Sequence, residues 1–348
     1  MKSIILFTVG VLSLPIASHA AYTVKDGRLI NVHELATLSV QEHYSLLKEA
    51  VDEKSWLEVI KQGRILIKNF PTAVFALDSY FYLGVAYFNM QELDFANENF
   101  GLYLKKQTSP KFFEEAVQYK FAIAKQFEKG EKRRLFGKED LPKWMPARQE
   151  AIAIYDEVIM ALPQHDLAVE ALFGKARVLL QEEEFKSSIE TLQTLLRRFP
   201  KHPLACDSYI AIIDIYREQA EKEYPDPDYL DLAEITLRKF RIEFPGESKV
   251  AEAERILVDM AEIYAKALYK TAEFYERTRK PAAAMIYYNK ILAKYPLTQT
   301  AQRSQKRFDV LQSRQKKKEV KIQIPKSDSR VIVDEEVKSI EPSSDMLR

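Results

Sequence analysis

One cysteine, nine glycines and a formal net charge of +1 exclude several common designs. With Cys206 alone the chain forms no intramolecular disulfide, and its place inside a helical pattern reads as a small buried hydrophobe. Scarce glycine, and little alternation of apolar and polar residues before the C-terminal tail, argue against a sheet-built protein. The 52 basic and 51 acidic residues nearly cancel, so the whole molecule lacks the electrostatic footprint of a nucleic-acid binder. Past the N-terminus no apolar run is long enough to span a bilayer. Zinc spacing, a phosphate loop and a nucleophile elbow are all missing. His33, His43, His165 and His202 are scattered, and the carboxylates around Gln181–Glu184 read as a solvated helix face. No catalytic residue, metal or cofactor is expected, and the protein is not expected to be an enzyme.

The first twenty residues read as a secretory signal peptide. Lys2 is the positive start, Ile4 to Ile16 the apolar stretch, and Ser18 and Ala20 the small residues before a cut between Ala20 and Ala21. The mature protein is then expected outside the cytoplasm. Ala17 to Tyr22 contain no cysteine to carry a lipid anchor. Residues 21–40 form a short lead-in.

What the chain has in plenty is aromatic residues, and they recur in order. From Tyr80 come Leu83, Gly84 and Tyr87, then Ala96 and Phe100. That is the tetratricopeptide spacing of two antiparallel helices. Gly84 sits where helix A must press against helix B, so packing explains a residue that costs a helix about 1 kcal/mol. The pattern returns at Tyr209, Tyr216, Ala233, Leu237 and Phe240, and at Leu268, Ala272, Tyr275, Ala284, Tyr288 and Ile291. Ala151, Tyr155 and Val158 make a further helix B. Phe173-Gly174 followed by Ser188, Leu192 and Leu195 makes a degenerate unit, and Tyr44 to Pro71 a worn first one. NFP, RFP, EFP and KYP close helices, because proline cannot continue them. The fold class is therefore all-α, a tetratricopeptide-type solenoid of about six helical hairpins over residues 41–315. Each hairpin buries too little apolar surface alone and must lie on its neighbours.

Two insertions interrupt the array, Lys129–Arg148 and Glu221–Tyr229. The first mixes the bases Lys132 to Arg134 with Leu135, Phe136, Trp144 and Met145. It either folds onto its own repeat through those apolar groups or docks a partner, as loops on rigid scaffolds often do. Residues 316–348 are charged and without core periodicity, and are expected to form a disordered tail.

The function class left by these exclusions is binding. One turn away from the packing face of each helix A, side chains are expected to line a concave groove. These are Asp78, Phe81, Val85 and Phe88 in the second unit and Tyr119, Ile123 and Gln126 in the third. Ile210, Asp214 and Arg217 follow in the fifth, and Tyr269, Glu273 and Glu276 in the sixth. Phe81 and Phe88 are either covered by a neighbouring repeat or held open for an apolar peptide.

Within Ala267–Arg307 stand Ala272-Glu273-Phe274-Tyr275, the charged turn Glu276–Lys280, Tyr295-Pro296 and Thr298–Ala301. With these residues the stretch resembles the BamD/YfiO family of outer-membrane assembly lipoproteins. Asn69–Lys105 resembles the same family's N-terminal repeats. The resemblance implies a periplasmic scaffold at the inner face of the outer membrane. Its C-terminal repeats would bind a BamA-type barrel-assembly protein, and its N-terminal groove would bind unfolded outer-membrane proteins. The other family with similar K-Y-P closings is the soluble CpoB/YbgF kind, which coordinates envelope constriction with wall synthesis.

Overall fold

The computed structural model describes residues 22–25, 28–31, 35–106, 108–222 and 226–323. The signal peptide and most of the tail lie outside the described residues. The lead-in contains one antiparallel ribbon of β1 (Tyr22–Lys25) and β2 (Arg28–Asn31).

Thirteen α-helices follow among the described residues, and twelve of them pair as six hairpins. These are α1 (Val40–Asp52) with α2 (Trp56–Asn69), α3 (Val74–Asn89) with α4 (Leu93–Lys106), and α5 (Phe113–Glu128) with α6 (Arg148–Ala161). Next come α7 (Asp166–Gln181) with α8 (Phe185–Arg198), α9 (Leu204–Lys222) with α10 (Pro227–Glu243), and α11 (Val250–Arg277) with α12 (Pro281–Lys294). Helix α13 (Gln299–Gln323) closes the series. The fold is an all-α tetratricopeptide-type solenoid.

The repeats share their terminators as well as their cores. Helices α2, α6, α8 and α12 end at Phe70, Leu162, Phe199 and Tyr295, whose backbones fall within φ −127° to −133° and ψ 51° to 62°. Each precedes a proline, whose ring disfavours the helical region for the residue before it. The A helices end differently. Lys54, Gln91, Glu183 and Arg279 take left-handed φ of 56° to 61° at the A–B turn. The next amide then reaches back to Ala50, Tyr87, Leu179 or Tyr275 at 2.8–3.0 Å, a Schellman closure usually built on glycine. In the third hairpin Gly130 holds this place at φ 106°, and the insertion leaves from it.

Starts are capped locally. Ser39 and Glu42 form a capping box on α1. The Nδ1 atoms of His165 and His202 accept from the amides of Leu167 and Leu204, so two of the scattered histidines cap helices. His43 is buried against Gln62, with Nδ1 at 2.7 Å from Oε1.

The chain divides into two compact units. The first holds residues up to Tyr216 together with Thr236–Ala253. Its core carries the close approach that the sequence predicts. A Cβ on Gly84 would lie 2.7–2.8 Å from three ring atoms of the buried Phe100. Gly174 differs, because a Cβ there meets Tyr155 of the preceding helix B at 2.6–2.7 Å. Tyr209 stacks on Phe240 at 5.2 Å, and Cys206 is buried, its thiol pushed up by burial.

The second unit holds Arg217–Ile235 and the chain from Glu254 onward. Ala272, Ala284, Tyr288 and Ile291 are fully buried at the α11–α12 seam. Glu262 holds α13 by accepting from the Thr300 hydroxyl and amide at 2.6 and 3.1 Å. Helix α13 continues past the expected boundary at Lys316 to Gln323. Residues 312–317 of this helix are all exposed.

Candidate functional site

The expected groove residues separate by burial. On α3, Phe81 is core and does not line a groove: it is 7 % exposed and stacks on Phe112 at 4.5 Å among Tyr82, Phe100, Tyr103 and Tyr119. The following hairpin covers it. Ile123 on α5 is likewise fully buried, and Asp78 is buried near Tyr44, Tyr82 and Tyr103. Those phenols are held above their ordinary range first by burial, with the Asp78 charge adding to it.

Four candidates in this part of the first unit stay half-exposed: Val85 and Phe88 on α3, Tyr119 and Gln126 on α5. Phe88 meets the Tyr119 ring edge-on at 5.1 Å, and Tyr119 in turn stacks on Phe100 at 5.0 Å. The strip is thus a half-exposed aromatic edge anchored by a buried ring. Ile210 and Asp214 on α9 are half-buried and stand apart from it in sequence.

In the second unit Tyr269, Glu273 and Glu276 come together. With Arg277 and Arg307 they line a cleft of about 460 Å³. Glu276 accepts from the Arg307 guanidinium and from the Tyr288 hydroxyl, the latter at 3.1 Å. The hydrogen bond to Glu276 holds Arg307 above its ordinary range, and burial does the same for Tyr288. Glu273 is exposed on this cleft, so the pocket offers one uncommitted carboxylate beside a fixed ion pair. Arg217, the remaining candidate in this unit, pairs with Glu221 along α9 at 3.1 Å.

The insertion is a ribbon, not an apolar flap. Strand β3 (Lys132–Arg134) pairs with β4 (Lys143–Pro146), joined by residues 135–142, which open with a helical turn at Leu135–Gly137. Charges hold it on earlier repeats. Arg134 donates two bonds to Glu92 at 2.6 and 2.7 Å, and its amide donates to Asp94 at 2.6 Å. Arg133 bridges Asp94 and Glu150, Lys143 adds to Glu92 at 3.4 Å, and Glu139 receives Arg64 from α2. The hydrogen bonds from Arg134 hold the Glu92 carboxyl below its usual range. Leu135 is half-buried, whereas Phe136 and Trp144 point to solvent at 77 % and 69 % exposure. Behind the ribbon Lys120 is buried, with Nζ 2.7 Å from Asn97 and 2.6 Å from Glu157. Sequence reasoning missed Glu92, Asp94 and Lys120. The one signal for the first two was an acidic turn upstream of three consecutive bases.

The YfiO family, described as outer membrane lipoprotein, matches residues 149–322, half of the 348-residue chain. The chain belongs to the YfiO family. The match takes in α6 to α13 almost whole, and so the entire Tyr269–Arg307 cleft. No curated protein matches the sequence. Among solved structures, the MamA protein is similar at 14 % identity over 61 % of this chain and 94 % of that one, with a TM-score of 0.35. MamA from Desulfovibrio magneticus gives 14 % over 62 % and 95 %, at 0.33. A tetratricopeptide repeat protein from Parabacteroides merdae gives 11 % over 78 % and 98 %, at 0.35. No helix among the described residues is long and apolar enough to cross a membrane.

Proposed function

We propose that this YfiO-family chain is a periplasmic protein-binding scaffold at the inner face of the outer membrane, taking part in β-barrel protein assembly. The observation that carries the reading is the family match over residues 149–322, within which Tyr269, Glu273, Glu276 and Arg307 line a charged cleft. That cleft is the surface for a BamA-type barrel-assembly protein. The Phe88–Tyr119 edge of the first unit is the surface for unfolded barrel precursors, whose terminal strands are rich in aromatic residues. Ring-on-ring contact suits such a strand, since offset and edge-on pairs contribute about 0.5–1.5 kcal/mol beyond the area they bury.

Affinity purification of the full chain from cell envelopes tests the reading. Recovery of a BamA-type barrel protein, reduced by Glu273→Lys, is the expected result. Recovery of wall-synthesis or envelope-constriction proteins in its place would assign the chain the role of the CpoB/YbgF kind.

A further inference from the structure

The β3–β4 ribbon commits its charges inward and its rings outward. Arg133, Arg134, Lys143 and Glu139 are all held by partners on the first three hairpins, so the arm is fixed. At its turn Phe136 adopts φ 53° and ψ 19°, a left-handed conformation that a bulky residue takes only under constraint. On the returning strand the register passes from Arg133↔Met145 to Arg134↔Lys143, which leaves Trp144 as the extra residue of a bulge. Bulges re-aim side chains, and this one gives Trp144 its exposure of 69 % beside Met145 at 37 %. Three exposed lysines on the insertion, Lys129, Lys132 and Lys138, take part in none of these ion pairs, against the two carboxylates Glu131 and Asp140.

We propose that the tip of this ribbon contacts a lipid bilayer. Phe136, Trp144 and Met145 enter the interfacial layer, and the free lysines face lipid phosphates. Area argues for this over a protein partner. At roughly 150–250 Å² per ring, the exposed parts of these side chains come to roughly 300 Å². A stable protein interface takes about 800 Å² from each side. A bilayer interface sets no such minimum, and tryptophan is the residue that concentrates at headgroup depth. The excess of free lysine over free carboxylate suits the anionic phosphate layer. This inference does not rest on the groove reading, and either can fail without the other.

The test uses the full chain with Trp56→Phe, so that Trp144 is the only tryptophan. Vesicles of phosphatidylethanolamine with phosphatidylglycerol are added, and flotation and emission are recorded. The chain should float with the vesicles and its Trp144 emission should shift to the blue. A separate Phe136→Ser/Trp144→Ser chain should lose about tenfold or more in partitioning at unchanged far-UV circular dichroism, since both rings are exposed. Lys132→Glu/Lys138→Glu should weaken binding more on these vesicles than on phosphatidylcholine ones. Absence of flotation by the tryptophan reporter, or equal flotation by the double serine variant, would overturn the proposal. So would a blue shift elicited by a purified envelope protein and not by vesicles.

Discussion

Replacing Gly84 by alanine isolates the contact on which the repeat packing turns. The added Cβ would sit 2.7 Å from Phe100 Cε1 and 2.8 Å from Cδ1 and Cζ, about 1 Å inside the ordinary carbon–carbon separation of about 3.5–4.0 Å. The Phe100 ring has nowhere to go. It is fully buried, stacked on Tyr119 at 5.0 Å and flanked by Phe81 at 5.8 Å. Overpacking of this kind costs about 1–3 kcal/mol, and the gain in helix propensity returns about 1. Gly63→Ala supplies the control. The three atoms nearest its Cβ all belong to the Leu83 side chain, the first two at 3.0 Å, and a leucine can adjust by a few tenths of an ångström. The propensity gain is common to both, so Gly84→Ala should be less stable than Gly63→Ala by about 1–2 kcal/mol, or roughly 2–8 °C in melting temperature. Thermal melts followed by circular dichroism, with amide exchange in α3 and α4, read this directly. Equal or greater stability of the Gly84 variant would refute the packing argument.

Other consequences follow from particular contacts. Phe81→Ala should destabilise the first unit by about 3–5 kcal/mol, since it empties a ring cluster; a melt within about 1 kcal/mol of the parent would return Phe81 to the surface. Lys54→Gly should raise stability by about 0.5–1 kcal/mol, because glycine takes the left-handed φ of 56° without strain; a loss measured by urea titration would contradict the closure described. The Glu92 carboxyl is depressed below 4.5 in the folded chain, so its contribution is present above that pH and is lost as pH falls through the lower, folded value. Protease cleavage within residues 129–148 should therefore rise in acid below about pH 4.5, and Arg134→Ala should show the same cleavage at neutral pH.

The repeat was legible because its signals are chemical necessities. Small residues at Gly84 and Ala96, rings at Phe100 and Tyr288, and prolines after Phe70, Phe199 and Tyr295 leave a pattern no other helical arrangement requires. The A-helix closures were not legible, since Lys54, Gln91, Glu183 and Arg279 occupy a conformation usually announced by glycine. Helical spacing left Phe81 open between cover by a neighbouring repeat and exposure in the groove, because helix A touches two neighbours; the next hairpin decides it by bringing Phe112 and Tyr119 onto the ring. The sequence showed the insertion's mixture of bases and apolar residues but not which group anchors it; the anchoring is ionic and Phe136 and Trp144 face solvent, a distribution that depends on Glu92 and Asp94 some forty residues upstream. Of the surface residues, the cleft trio Tyr269, Glu273 and Glu276 was readable from helical spacing alone, while its partner Arg307 lies one helix pair further on.

Photo-cross-linking in intact cells reaches the central claim most directly. A cross-linkable amino acid placed at Glu273, and separately at Tyr119, reports what lies against each surface in place. A BamA-type barrel protein is expected at position 273 and nascent outer-membrane proteins at position 119. Cross-links from both positions to wall-synthesis enzymes, with no barrel protein at either, would contradict it.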